Sequence, residues 1–188
     1  MRLALLFICL ICSLHCAAQE DFLAKQYFNN GEFKKAVVFY KNLTDKNPRR
    51  TDYAEGLVAC YQQLEMYKEA ETFLLNKIAT RNPYPTIYVE LGYNYLLQDQ
   101  AEKAKEYYEI ALSKIDENPN FGYGIGFRFQ RYALLDYALR AYSKAMELNP
   151  ELDYNFQMAR IYGEQGDIER MNCVVFVSCR SFLLLVQN

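Results

Sequence analysis

Residues 121–126 read Phe-Gly-Tyr-Gly-Ile-Gly, and alternating glycines are where a phosphate-binding loop would first be sought. Such loops use glycine so that bare backbone N–H groups can approach a pyrophosphate, and they join a strand to a helix. Here the spacing is Gly122-x-Gly124-x-Gly126, which is not the dinucleotide fingerprint, and no lysine follows as in a P-loop. The run also follows Asn118-Pro119-Asn120 rather than a strand. Gly126 has a packing reason given below, whereas Gly122 and Gly124 have none and should loosen the start of a helix. Paired carboxylates offer acid–base chemistry on paper, for example Glu102 with Glu106 and Glu147 with Glu151. They share their faces with Lys103, Lys105 and Lys144, the composition of a solvated exterior. His15 is the only histidine and lies inside an apparent export signal, so the mature chain has no imidazole for proton transfer or metal ligation. The chain reads as a non-enzyme with no metal site, no cofactor and no evident small-molecule substrate.

The export signal spans residues 1–18. Arg2 supplies the positive charge, Leu3 to Leu14 the apolar run, and Cys16-Ala17-Ala18 a small-residue cleavage site before Gln19. The run is shorter than the ~20 residues that span a bilayer, so no membrane span is expected in the mature chain. Isoleucine or histidine, not a small residue, precedes Cys9, Cys12 and Cys16, which argues against lipidation. Cleavage leaves Cys60, Cys173 and Cys179, an odd number that cannot all pair within one chain. A net charge of −2 argues against nucleic acid as a partner, while 52% hydrophobic residues, with 17 Tyr and 12 Phe, suffice for a core.

The elements that must position these residues follow from a register. Ala36, Ala70, Ala104 and Ala138 lie 34 residues apart, and so do Tyr27, Tyr61, Tyr95 and Phe129. Leu23, Leu57, Leu91 and Ile125 form a third column, and Tyr40, Leu74, Tyr108 and Tyr142 a fourth. A further column is small or medium: Ala24, Val58, Gly92 and Gly126. Small residues let two helix backbones approach, and aromatics from the facing helix fill the space between. Turn formers separate the helices of each copy at Asn29-Asn30-Gly31, Leu64-Glu65-Met66 and Gln98-Asp99-Gln100. Asn47-Pro48, Asn82-Pro83, Asn118-Pro119 and Asn149-Pro150 should end the second helices, because Pro cannot continue a helix and constrains the residue before it.

These columns resemble the tetratricopeptide repeat, a 34-residue helix–turn–helix unit. The third copy carries Tyr88, Leu91-Gly92-x-x-Tyr95, Ala101 in the turn, then Ala104, Tyr108 and Ala111. The first carries Leu23-Ala24-x-x-Tyr27, Gly31-x-Phe33, Ala36, Tyr40 and Pro48. The second carries Leu57-Val58-x-x-Tyr61, Tyr67 and Ala70, and the fourth Ile125-Gly126-x-x-Phe129, Ala138, Tyr142, Ala145 and Pro150. The resemblance implies an all-α, right-handed superhelical solenoid of four repeats, about residues 17–50, 51–84, 85–118 and 119–151. A partial fifth covers 152–170, with Met158-Ala159-x-x-Tyr162 one residue short of the register and Met171 in the alanine place. From Asn172 the chain turns apolar and fits neither an amphipathic second helix nor a polar cap, so 171–188 is expected to be an atypical tail from a shifted reading frame or a truncated gene.

The resemblance further implies a protein-interaction scaffold that holds a protein or peptide partner on the concave wall made by first helices. Carried onto this chain, that wall comprises Val89, Tyr93, Leu96 and Leu97 in the third copy, and Tyr123, Phe127, Gln130 and Arg131 in the fourth. Phe156 and Arg160 continue it, and Asp21, Lys25, Phe28, Asn29, Glu55, Gln62 and Gln63 precede it. Exposed aromatics beside arginine suit a peptide bearing an acidic group or a carboxylate. The same aromatics could instead pack against further repeats. The clamp by which some repeats grip a C-terminal carboxylate is absent, because Asp21, Lys25 and Gly56 stand at its positions. Two alternatives stay open: an accessory subunit of an envelope assembly or secretion complex using outer helix faces, or a fragment of a larger protein whose C-terminal part carries the activity. The expected location is the periplasm or the extracellular space, with envelope association allowed.

Overall fold

The computed structural model describes residues 19–80 and 83–176, and every described element is helical. Ten helices follow in order. They are α1 (19–29), α2 (Phe33–Lys46), α3 (Thr51–Gln63), α4 (Tyr67–Ile78), α5 (Thr86–Leu96), α6 (Ala101–Glu117), α7 (Phe121–Arg131), α8 (Leu135–Leu148), α9 (Asn155–Glu164) and α10 (168–176). The chain forms two compact units, Met1–Tyr84 and Pro85–Asn188. Residues 1–18, where an export signal is expected, Arg81, Asn82 and residues 177–188 lie outside the described residues.

One turn recurs inside every pair. Gly31, Glu65, Asp99, Ala133 and Gly166 each hold positive φ, between 55° and 75°. The residue after each donates its N–H to the carbonyl of the aromatic column: Glu32 to Tyr27, Met66 to Tyr61, Gln100 to Tyr95, Leu134 to Phe129 and Asp167 to Tyr162. The positive-φ residue itself donates to the next carbonyl along, as Gly31 does to Phe28 and Ala133 to Gln130. This is the Schellman arrangement, which uses up two orphan carbonyls and reverses the chain in a few residues. The second helix then begins at Phe33, Tyr67, Ala101 or Leu135, so Ala101 opens α6 and is not part of the turn.

An L-residue with a Cβ is strained in this conformation by ~1–2 kcal/mol. Ala133 has no polar side chain to offset the strain, unlike Asp99. Ala133→Gly should therefore stabilise the second unit by about 0.5–1 kcal/mol, after subtracting the greater freedom of glycine in the unfolded chain. Urea unfolding measures it, and an unchanged or lower midpoint would show the turn to be unstrained.

Three of the four Asn-Pro steps end a helix. Asn47, Asn118 and Asn149 leave the helical region just after α2, α6 and α8, and Asn118 and Asn149 take the extended geometry that a following proline favours. The second copy differs. Its α4 ends at Ile78, several residues before Asn82-Pro83. There the Thr80 hydroxyl donates to the Lys77 carbonyl at 2.7 Å, and its N–H bonds the same oxygen, so a local turn replaces the last helical bonds.

In the first unit Ala24, Ala36, Tyr40, Leu43, Tyr53, Leu57 and Cys60 form one buried cluster. Burial pushes the Cys60 thiol up to about 12, so it behaves as a small apolar side chain. In the second unit α5 packs on α6 and α7 on α8, with α5 also against α7 and α6 against α8. Leu91, Tyr95, Ala104, Tyr108, Ile125, Phe129, Ala138 and Tyr142 are buried there.

The small-residue column acts as the resemblance implies. A Cβ on Gly92 would lie 2.4 Å from Tyr108 Cε1, and one on Gly126 would lie 2.5 Å from Tyr142 Cε1. Gly122 proves to have the same reason: a Cβ there would collide with the Ala145 methyl and sit 3.3 Å from the Ala141 carbonyl oxygen. Among the three α7 glycines only Gly124 is free of this demand, its nearest neighbour being Thr86 Cγ2 at an ordinary 3.5 Å. The glycine run of α7 is thus a close-approach surface for α8.

Of the expected atypical tail, residues 171–176 lie within α10 and the remainder falls outside the described residues. Met171 and Val174 are half-buried, and the Met171 sulfur lies 3.3 Å from where a Cβ on Gly163 of α9 would be.

Candidate interaction face and the polar lock beneath it

The expected wall residues divide by environment. Val89 is fully buried, so it belongs to the core of the second unit and offers nothing to a partner. Tyr93 is half-buried, its ring stacked on Tyr132 at 3.7 Å between centroids and 9° between planes. Leu96 and Leu97, at the end of α5, are half-buried as well. Gln130 is half-buried, and neither its Nε2 nor its Oε1 has a hydrogen-bond partner. Tyr123, Phe127 and Phe156 are 47%, 42% and 76% exposed, and Arg131 and Arg160 are exposed beside them in sequence.

Tyr123 and Phe127 lie one turn apart on α7, with rings parallel within 9° at 6.1 Å. Tyr123 also meets Tyr154 at 5.9 Å, and Tyr154 leans on Tyr142 at 5.4 Å. The exposed pair is thereby anchored to the core by a chain of rings. Phe156 follows two residues after Tyr154 at the start of α9. Arg160 reaches Glu164 at 3.5 Å on its own helix, so its charge is shared and not held for a ligand alone.

In the first unit Asp21 and Lys25 form an ion pair at 2.9 Å. Gln62 is buried with its Nε2 lacking a hydrogen-bond partner, and Phe28 packs edge-on against Phe33. These positions give that unit no exposed aromatic stack.

Sequence reasoning missed the most unusual group of the second unit. Glu90 on α5 and Arg128 on α7 are both buried, with Glu90 Oε1 3.0 Å from Arg128 Nη1. The Tyr132 hydroxyl donates to Glu90 Oε2. Burial, reinforced by the adjacent carboxylate, holds the Tyr132 phenol above its ordinary range, so it stays a donor. Asn94, one turn from Glu90, is also fully buried. A buried ion pair needs its remaining lone pairs satisfied to repay desolvation, and the Tyr132 hydroxyl supplies one such bond. The same ring stacks on Tyr93, so the lock sets the floor beneath the expected wall.

The outer face is built differently. A cleft of about 490 Å³ is lined by Glu109, Leu112, Ser113, Arg140, Ser143, Lys144 and Glu147. Arg140 grips Glu109 with two bonds of 2.7 and 2.8 Å, and Lys144 reaches Asp116 at 2.6 Å. The arginine bond holds the Glu109 carboxyl below its usual range. These charges are engaged with each other across helices α6 and α8.

No group of three or more His, Cys, Asp or Glu among the described residues could hold a metal ion. No described helix is long and apolar enough to cross a membrane.

Antiparallel helix pairs in one register, joined by one turn and presenting faces of side chains, define a helical repeat protein. Residues 85–113 match the tetratricopeptide repeat family, on the copy formed by α5 and α6. The described helices pair as helix–turn–helix repeats of the tetratricopeptide type, and proteins of that family serve as protein-interaction scaffolds and are typically non-catalytic. It is 28% identical over 145 residues to the BBSome complex member BBS4 of Bos taurus, covering 77% of this chain and 26% of that one. It is 26% identical over 125 residues to the general transcriptional corepressor trfA of Dictyostelium discoideum, covering 65% and 9%. The chain thus spans about a quarter or less of these relatives' length. Among solved structures, TTC0263 of Thermus thermophilus, a thermophilic repeat protein of this type, superposes with a TM-score of 0.48 at 19% identity, covering 84% of this chain and 87% of that one.

Proposed function

We propose that this chain is a non-enzymatic scaffold that binds a protein or peptide partner through the first-helix face of its second unit. The observation that carries this reading is the stacked, half-exposed Tyr123–Phe127 pair, with Phe156 exposed beyond it. Aromatic rings held in place and left accessible supply large contact area at low entropic cost, the usual make-up of a binding hot spot. Tyr93, stacked on Tyr132, lies on the preceding first helix, while Arg131 and Arg160 favour a partner segment with an acidic group. Outer-face binding, as an accessory subunit, is less favoured because the Glu109–Arg140 and Asp116–Lys144 pairs already satisfy one another.

The test is capture of partners by the intact chain, identification of the principal one, and direct titration with it. Phe127→Glu combined with Phe156→Glu should weaken that complex by ~100-fold or more while leaving the circular dichroism spectrum unchanged. A folded double variant that retains full affinity would overturn the face. Export completes the reading: residues 1–18 direct the chain out of the cytoplasm and are removed. N-terminal sequencing of the recovered protein should begin at Gln19, and a chain that keeps Met1 and stays in the cytoplasm would refute it.

A further inference from the structure

We propose that α4 is a latch in the first unit: it undocks from α3 in a local opening while α1, α2 and α3 keep their packing. Second helices are fastened by three columns. The alanine column is intact, with Ala36, Ala70, Ala104 and Ala138 all buried. The other two change in α4. Where the third and fourth copies set Tyr108 over Gly92 and Tyr142 over Gly126, the second has Leu74 and Val58. A branched side chain at that place keeps two helix backbones apart. The last column buries Leu43, Ala111 and Ala145, and α4 has Lys77 there. Lys77 sends its ammonium to the Pro48 carbonyl at 3.4 Å, and lysine keeps its charged head near water at the expense of anchoring. The buried residues of α4 are Ala70 and Leu74, whereas α2, α6 and α8 each bury four or five.

The second copy also lacks the clip that the others place across the turn. Lys35 lies over the Tyr27 ring at 5.2 Å, Lys103 over Tyr95 at 5.1 Å and Arg170 over Tyr162 at 5.7 Å. In the fourth copy Tyr137 stacks on Phe129 at 5.2 Å. The matching residues of the second copy are Tyr61 and Glu69, and a ring face attracts cations but not a carboxylate.

The helix is weak on its own as well. It has 12 residues, a length at which a helix without docking is marginal. The Thr72 hydroxyl donates to the Lys68 carbonyl at 2.8 Å, competing with the helix's own bond there. Leu75 is already 39% exposed, so opening uncovers little further apolar surface from that residue. Segments with few buried contacts open first and on their own. The first unit can thereby give up one helix without unfolding.

Hydrogen exchange of the full chain, read by mass spectrometry and corrected for intrinsic rates, tests this. Amides in the middle of α4 should exchange about 10-fold faster or more than those in the middle of α2, α6 and α8. Leu74→Ala should speed α4 exchange by about 30-fold or more while leaving α2 unchanged. Thr72→Ala, on the exposed side, brings in the better helix former and should slow α4 by about 3-fold, again with α2 unchanged. Equal protection in α4 and α2 would overturn the proposal. So would either substitution moving α2 and α4 together, including a Leu74→Ala chain whose first unit no longer folds, because that unit then opens as one body.

Discussion

Replacing Arg128 by methionine is expected to cost the second unit about 3–5 kcal/mol, the largest loss from any single polar substitution considered. The side chain is buried, and its Nη1 lies 3.0 Å from Glu90 Oε1. Methionine fills similar volume, so the penalty comes from electrostatics and not from a cavity. It leaves the Glu90 carboxylate buried with the Tyr132 hydroxyl still donating to it, but without the positive charge that repaid its desolvation. Glu90→Gln should cost less, because the amide oxygen can still accept from Tyr132. Combining Glu90→Gln with Arg128→Met should recover part of the loss, a coupling of roughly 1–3 kcal/mol in a double-mutant cycle read by urea unfolding. If the two single losses simply add, the pair is not an interacting unit. Tyr93 provides a second readout: loss of the lock should free Tyr132 and weaken partner binding even where α7 remains folded.

Gly126→Ala and Gly92→Ala should each destabilise by about 1–3 kcal/mol, although alanine is the better helix former. Intrinsic preference alone predicts a gain of ~1 kcal/mol at either site. The packing term opposes it. The new methyl at 126 would lie 2.5 Å from Tyr142 Cε1, and Tyr142 is fully buried with no room to swing away. At 92 it would lie 2.4 Å from Tyr108 Cε1 and also press on the Ala104 carbonyl at 3.0 Å, which is backbone and cannot rotate aside. Gly124→Ala is the control on the same helix, where 3.5 Å to Thr86 is ordinary contact, and there the helix preference should win and stabilise. Thermal unfolding of the three variants gives the signs directly. A stabilised Gly126→Ala protein would mean that the α7–α8 contact is looser than described.

The fold was legible because its energetics repeat. A column such as Ala36, Ala70, Ala104 and Ala138 is visible in sequence since each copy solves the same close-approach problem with the same residue size. The turn was less legible, because its demand is on φ and only two of five positions are glycine; Glu65, Asp99 and Ala133 meet it without advertising it. Gly122 was misread for a related reason. Its partner, the Ala145 methyl, is visible only once α7 and α8 are docked.

The polar lock was hidden by the very averaging that revealed the repeats. Glu90 shares a column with Phe22, Gly56 and Gly124, and Arg128 with Gln26, Cys60 and Asn94, so each departs from its column. Opposite charges in two successive copies, at positions uncharged in the other copies, were the available signal. The candidate face was legible in part. Tyr123, Phe127 and Phe156 are exposed, whereas Val89 occupies the same repeat position as Tyr123 yet is buried. Repeat position alone does not separate wall from core.

The recurring turn has a consequence for how this chain can change length. Five reversals share one bonding scheme in which the backbone N–H after the positive-φ residue must reach the aromatic-column carbonyl. An added or deleted residue there breaks both bonds and rotates the whole second helix by about 100°. Among the described residues the segments between pairs show no such bonding scheme, and they already differ in length: 47–50, 79–85, 118–120 and 149–154. The single-residue slip of the fifth copy falls in the last of these, between Ala145 and Met158. Insertions, deletions and engineered tags should therefore be accepted at these joints and rejected at the hairpins, which makes the helix pair, and not the helix, the unit by which this protein can be lengthened, cut or spliced.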